Sequence, residues 1–333
     1  MTVNDGNNDS SSSDASSSGY VPNLAEFYFE PTYDWTVDEA RNLYQQKAEE
    51  IPSDICDRIH YQDCVKAMSK LPDGCTDLVI ADPPFGIEFD GKSSVYNRNQ
   101  EHVVDGYEEI NGSYMDFTRH WMAEIPRLLK KHGSAYVFSG WSNLESILRG
   151  GRLAGLSILN HVIWKYPFGV FTRKKFVTSH YHVLLFVKYP QSYFFNKIQH
   201  YPLDVWNMNR QYRAGCAKNG TRLPLEVVMR CVDYSSRPGD LVLDPFMGNG
   251  TTAAACKTGY RHYLGYEIND ELQPIIQSEL SRRDLGELYK PYKDRLPSIE
   301  ELAEKYPKAY EVYAQRENQN TNKRYEGGHS GTD

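Results

Sequence analysis

Asp82-Pro83-Pro84-Phe85, within the run DLVIADPPFG, sets an acid, two prolines and an aromatic ring at the end of a short apolar stretch. Packing alone gives little reason for such an ending. The prolines fix two φ angles and remove two N–H donors, so the carbonyls here are turned towards something other than a sheet neighbour. A carboxylate and a carbonyl oxygen can accept both N–H bonds of a planar amine while Phe85 stacks on the ring that carries it. An exocyclic amino group of a nucleobase fits that description. A tight Pro-Pro turn with a solvated Asp82 is the plainer reading, because short motifs recur by chance.

A second run bears on that choice. LVLD (241–244) leads into PFMGNGTTAAACKTG, where Gly248 and Gly250 permit a sharp turn and the following helix offers free N–H groups to a carboxylate or phosphate. The third glycine of the dinucleotide fingerprint and the GK[ST] ending of a P-loop are both missing, which lowers the case for NAD or a nucleoside triphosphate. HYLGYEI then ends near Glu267, an acid placed to hold ribose hydroxyls at a neighbouring strand end. A nucleoside with a carboxylate tail satisfies both features, and S-adenosylmethionine (SAM) is such a molecule.

DPPF (82–85) followed by DPFMGNGTT (244–252) and GYEI (265–268) resembles the β-class DNA amino-methyltransferases of restriction-modification systems, over about Arg58 to Arg283. The resemblance implies an α/β, Rossmann-like class I methyltransferase fold, with a mostly parallel sheet, one antiparallel edge hairpin and the permuted order in which the catalytic motif precedes the cofactor motif. It implies Asp82, Pro83, Pro84 and Phe85 as the catalytic group. For SAM it implies Asp63 (in IHYQD), Asp82, Thr221, Asp244, Phe246, Gly248, Asn249, Gly250, Thr251, Thr252 and Glu267. The family's His-Pro-Thr-x-Lys-Pro stands here as Asn219-Gly220-Thr221-Arg222-Leu223-Pro224, without the lysine, and Asn249 replaces the usual serine of GSGTT.

The implied reaction is methyl transfer from SAM to adenine N6 in duplex DNA. N6 is a poor nucleophile while its lone pair is delocalised, and Asp82 with the Pro83 carbonyl would draw the amine towards a tetrahedral form. The base must leave the stack to be reached, with Tyr166 or Phe168 as a second wall opposite Phe85. Cytosine N4 is the alternative target, for which Ser-Pro-Pro is more usual in the family; a DNA-binding protein with an inactive methyltransferase fold is the alternative from another class. Between Lys165 and Arg222 ten basic residues face one acid, Asp204, with aromatics interleaved. Arg173, Lys174, Lys175, Arg210 and Arg213 of that segment, with Lys92 and Arg98 of the loop at 86–113, are the candidate DNA contacts. A solvated basic surface is the plainer reading of the same charges.

These groups need a frame. From Arg58 the pattern alternates strand and helix: RIHYQD, a short helix near 64–69, DLVIAD, a helix over 115–131, AYVFSG (135–140), and a helix from about 142. ILNHVIWKY (158–166) and HVLLFVKY (182–189) are too closely joined for a crossover helix and pair antiparallel. LPLEVVMRCVDYSS predicts another helix. Residues 1–22 are expected to be a disordered Ser- and acid-rich tail, 23–57 a helical addition with a Thr36/Glu39 capping box, and 58–290 the methyltransferase domain. Within that domain the catalytic half is 58–190, the DNA-contacting segment 165–222 and the cofactor half 223–285. Residues 291–333 read as a C-terminal helix through about Arg316, capped by Ser298 and Glu301, and a frayed tail.

The 333 residues, 40% of them hydrophobic, can bury a sizeable core. The formal charge of −7 looks wrong for a partner of DNA, but residues 1–40 hold eight acids and no Lys or Arg, so the remainder carries +1. Six scattered cysteines without a CxxC pair argue against a zinc cage or a disulfide framework, and no metal is expected. No stretch has the length of a membrane span and the N-terminus lacks a signal core, so a cytoplasmic protein is expected. Duplex DNA is the expected partner; a cognate restriction endonuclease, and a monomeric or homodimeric state, stay open.

Overall fold

The computed structural model describes residues 24–27, 29–84, 113–167, 169, 172–209 and 222–326. Two compact units arise, residues 31–295 and a smaller one drawn from 1–30 and 296–333. The larger unit is built on an eight-stranded sheet. Its strands are β1 (Arg58–Tyr61), β2 (Thr76–Ala81), β3 (Leu129–Ser139), β4 (Ser157–Lys165), β5 (His180–Val187), β6 (Val205–Asn207), β7 (Leu241–Asp244) and β8 (His262–Glu267), in the spatial order β1-β8-β7-β2-β3-β5-β4-β6. Every neighbouring pair is parallel except those made by β5, which runs against both β3 and β4.

The central strands are apolar because both faces are covered. On β2, Val79 and Ala81 enter one core cluster with α2 (Cys64–Met68), α3 (Tyr114–Met122), α4 (Ile125–Leu128) and α5 (Leu144–Leu153). Leu78 and Ile80 enter the other, with α6 (Leu225–Ser235) and α7 (Thr251–Thr258). This is the period of two expected of a strand between helical layers. Residues 37–50 form α1, with the Thr36/Glu39 capping box in place, and Gln273–Ser281 form α8.

The structure departs from the sequence reading in several elements. The helix expected over 115–131 ends α3 at Met122, restarts as α4 and stops at Leu128. Pro126 lacks an amide hydrogen and clashes with a preceding turn, so it sits at the start of a new helix. Leu129 then begins β3, six residues before the expected strand, and the β2–β3 register shifts between Thr76/Leu129 and Leu78/Ser134. Gly133 lies in that irregularity, where a Cβ would come within 2.8 Å of Leu129 and 3.0 Å of the Asp77 carbonyl. β6 is an addition beyond the antiparallel pair, bonded to β4 from Ile163↔Val205 to Lys165↔Asn207.

In the smaller unit, Ser298 and Glu301 form the expected capping box on α9 (Ile299–Lys305), but the helix does not run through to Arg316. It ends at Lys305, and Pro307 opens a separate α10 reaching Glu326. Phe27 stacks on Tyr313 at 5.2 Å and tilts against Tyr310 within that unit.

Candidate active site

β1, β8, β7 and β2 are spatial neighbours and all run the same way, so their carboxyl ends form one rim. Each carries an acid there. Tyr61, opposite Glu267 in register, is followed two residues later by Asp63; Glu267 ends β8; Asp244 ends β7; Asp82 follows the last residue of β2. The β2–β7 register, Val79 opposite Leu243, brings the DPP and DPF motifs side by side although about 160 residues separate them in the chain. Ligands of open parallel sheets gather at such a rim.

Local chemistry sets each side chain. Pro83 is buried while Asp82 and Pro84 are half-buried at the strand end. After β7, the Asp244 carboxylate accepts from the Phe246 amide at 2.9 Å, which bends the chain into the glycine turn. Gly248 and Gly250 adopt φ of +53° and +80°, left-handed values that disfavour any residue with a Cβ. At Gly250 a Cβ would meet Ile276 at 3.0 Å; beside Gly248 it would meet only the Phe246 carbonyl, at 3.8 Å, so that flank of the turn is open. Glu267 fastens the turn to β8, accepting from the Gly248 amide at 2.7 Å and the Asn269 amide at 2.9 Å. Thr251 and Thr252, both buried, begin α7.

Electrostatics separate the acids. Burial pushes the Asp244 carboxyl up to about 7; the Thr252 hydroxyl and the Phe246 amide oppose this, and the Glu267 charge adds to it. Burial also raises Glu267, against the backbone amides of Asn269 and Gly248. Asp63 caps α2, accepting from the Lys66 amide at 2.9 Å. The Phe246 ring packs edge-on to Trp121 at 5.3 Å and tilts against Phe117, so it belongs in part to the core of the α3 layer.

Arg222, read from the sequence only as one basic residue of the 165–222 segment, has structural partners that the sequence did not show. Its Nε donates to Thr251 Oγ1 at 3.1 Å at the start of α7, and its guanidinium forms a two-point ion pair with Glu279 of α8, at 3.1 and 2.8 Å. That pairing holds the Glu279 carboxyl below the usual range. Position 223 lacks the lysine, and a cation one residue earlier reaches the start of α7. An arginine next to the missing lysine was the available signal.

The β4–β5 connection leaves the same rim, since β4 runs parallel to β2 and β3. Arg173, Lys174 and Lys175 are exposed on it, beside Phe176 at 98% exposure. Tyr166 is buried against Trp164 and Tyr181. Phe85, Lys92, Arg98, Phe168, Arg210, Arg213 and Thr221 lie outside the described residues. His182 is buried and shares a 2.7 Å hydrogen bond with His161. Among the described residues no helix is long and apolar enough to cross a membrane.

Comparison with known proteins gives the same picture. A family model described as DNA methylase, covering the N6 and N4 enzymes, matches residues 76–278. The chain is similar to the type II methyltransferase M.HpaI of Haemophilus parainfluenzae, 28% identical over 244 residues, 67% of this chain and 74% of that one. It is also similar to the DNA adenine methyltransferase YhdJ of Escherichia coli K12, 29% identical over 276 residues, 74% of this chain and 86% of that one. Among solved structures, the M1.HpyAVI–SAM complex superposes with a TM-score of 0.51 at 21% identity, over 67% of this chain and 98% of that one. With the family model spanning well over half its length, this chain belongs to the N6/N4 DNA methylase family.

Proposed function

We propose that this methylase acts on adenine N6 in a short sequence of duplex DNA, with SAM as methyl donor. The observation that carries the reading is the rim of four acids on four adjacent strands, with the DPP motif beside the glycine turn. The turn fits the cofactor: Gly248 leaves open space, Gly250 holds a left-handed turn close against Ile276, and Arg222, paired with Glu279, donates to Thr251 at the first turn of α7. Asp63, Asp82, Thr221, Asp244, Phe246, Gly248, Asn249, Gly250, Thr251, Thr252 and Glu267 would hold it. When bound, SAM supplies a methyl group activated by its sulfonium.

The chain's own part is to hold and polarise the amine. The Asp82 carboxylate and the Pro83 carbonyl accept the two N6 hydrogens, which releases the nitrogen lone pair from the ring. As positive charge builds on N6, Asp82 is already in place to balance it, so no reorganisation is needed at the moment of transfer. Phe85 provides a stacking face for the flipped base. Arg173, Lys174 and Lys175, on the connection that leaves the same rim, track phosphates together with Lys92, Arg98, Arg210 and Arg213.

The direct test is incubation of the purified chain with SAM and mixed-sequence duplex DNA, followed by digestion and mass spectrometry of the nucleosides. N6-methyldeoxyadenosine is expected. N4-methyldeoxycytidine would overturn the choice of base, and no methylated nucleoside from protein that binds SAM would overturn the DNA assignment.

A further inference from the structure

The opposite edge of the sheet holds another constellation. β8 begins at His262, whose ring is fully buried, and five residue steps along the strand, roughly 17 Å, separate it from Glu267 at the rim. His262 Nε2 lies 2.9 Å from the Tyr44 carbonyl, which can only accept, so that nitrogen carries a hydrogen and Nδ1 faces the other way. There it meets Asp57 Oδ2 at 2.9 Å and Cys56 Sγ at 3.3 Å, and the sulfur and that oxygen are 3.9 Å apart. Neighbouring side chains on an extended segment point apart. Here Asp57 takes φ +54°, in the left-handed region, and both side chains converge on one ring.

A sulfur, a nitrogen and an oxygen at these separations form one face of a tetrahedron. Zinc bonds of about 2.0–2.3 Å would spread the three donors roughly 3.3–3.7 Å apart, within a few tenths of an ångström of what is observed. Thiolate, carboxylate and neutral imidazole together balance a divalent charge, and the mixed donor set favours zinc over calcium or magnesium. An outer shell orients the donors as well. Tyr44 fixes the His262 tautomer through its carbonyl, its hydroxyl donates to Asp57 Oδ2 at 2.8 Å, and the Tyr263 amide donates to Asp57 Oδ1 at 3.2 Å. The Asp57 side chain is 30% exposed, which gives an ion a way in.

We propose that Cys56, Asp57 and His262 form a zinc site of three protein donors with water as the fourth, tying the segment just before β1 to the start of β8. The site is separate from methyl transfer, and His262 lies more than 200 residues along the chain from the other two donors. A cysteine-spacing rule therefore passes over it.

The test uses the full chain, free of affinity tags and stripped of metal, titrated with zinc against a chromophoric chelator. One equivalent per chain is expected for the wild type. Cys56→Ser and Asp57→Asn, the latter able to keep the left-handed backbone, should each lose that uptake. Tyr44→Phe should weaken it by about 10–100-fold. Cobalt should give a sulfur-to-metal charge-transfer band that Cys56→Ser lacks. A measurement on the wild type alone guards against misfolded variants: zinc should protect Cys56 from alkylation, mapped by mass spectrometry, while leaving Cys75 unchanged. Absence of stoichiometric uptake, equal uptake by folded variants, or unprotected Cys56 would overturn the site and leave a hydrogen-bonded His–Asp pair.

Discussion

The two edges of the sheet are built on opposite plans. At the edge where β7 and β8 begin, charged groups are answered within the chain: Asp77 takes Lys130 and the Leu241 amide, and buried Arg261 is ringed by Ser236, Gly259, Tyr292 and Asp233. At the rim where they end, acids stand at or just beyond the ends of four consecutive strands, Asp63, Asp244 and Glu267 accepting from backbone amides, with Arg222 anchored nearby on Glu279. A buried charge without a partner costs several kcal/mol, so one edge can serve as a foundation only because it is paired. The other gathers like charges, which suits the binding of ligand hydroxyls, amines and cationic groups.

Mutations at the two edges should therefore fail differently. Asp82→Ala should lower methyl transfer by at least about 10³-fold, near 4 kcal/mol, while SAM still binds in calorimetry. Retained turnover would remove Asp82 from the chemistry. Arg261→Met should cost about 3 kcal/mol of folding stability in denaturant titration and leave the turnover of folded protein unchanged. A fall in turnover at full stability would erase the distinction between the edges.

Asp244→Asn sharpens it through pH. The folded-state value near 7 lies above the ordinary 3.8, so the folded chain keeps a proton that the unfolded chain gives up. That stabilisation is complete below about pH 4 and is lost as pH rises through about 7, by at most about 1.4 kcal/mol per unit. The difference between wild type and Asp244→Asn should show this decline, and a flat difference would place Asp244 in a wetter setting. The smallest effect is expected from Lys174→Ala, which should reduce the slope of log affinity for DNA against log salt by about 0.9 without altering the methylated sequence.

What the sequence disclosed follows from where its information is local. The DPP and glycine motifs, the apolar strands they end and the caps at Thr36 and Ser298 are short-range signals, and the structure has them in place. β6 is three residues long, too short to show a period, and exists because Val205–Asn207 meets the edge of β4. The early start of β3 depended on Pro126 being read as a helix restart rather than a tolerated interior residue. The Arg222–Glu279 pair and the Cys56 cluster were hidden for a different reason: Glu279 and His262 lie far along the chain from their partners.

The pairing of the first strand with the last also governs when the site comes into being. Arg58 aligns with Leu264 and Val79 with Leu243, so the neighbouring acids come from segments that meet only after nearly the whole core has been synthesised and closed. Such long loops make for slow folding. No partly formed chain can assemble the rim, and a ligand that requires it will bind, and stabilise, finished molecules alone.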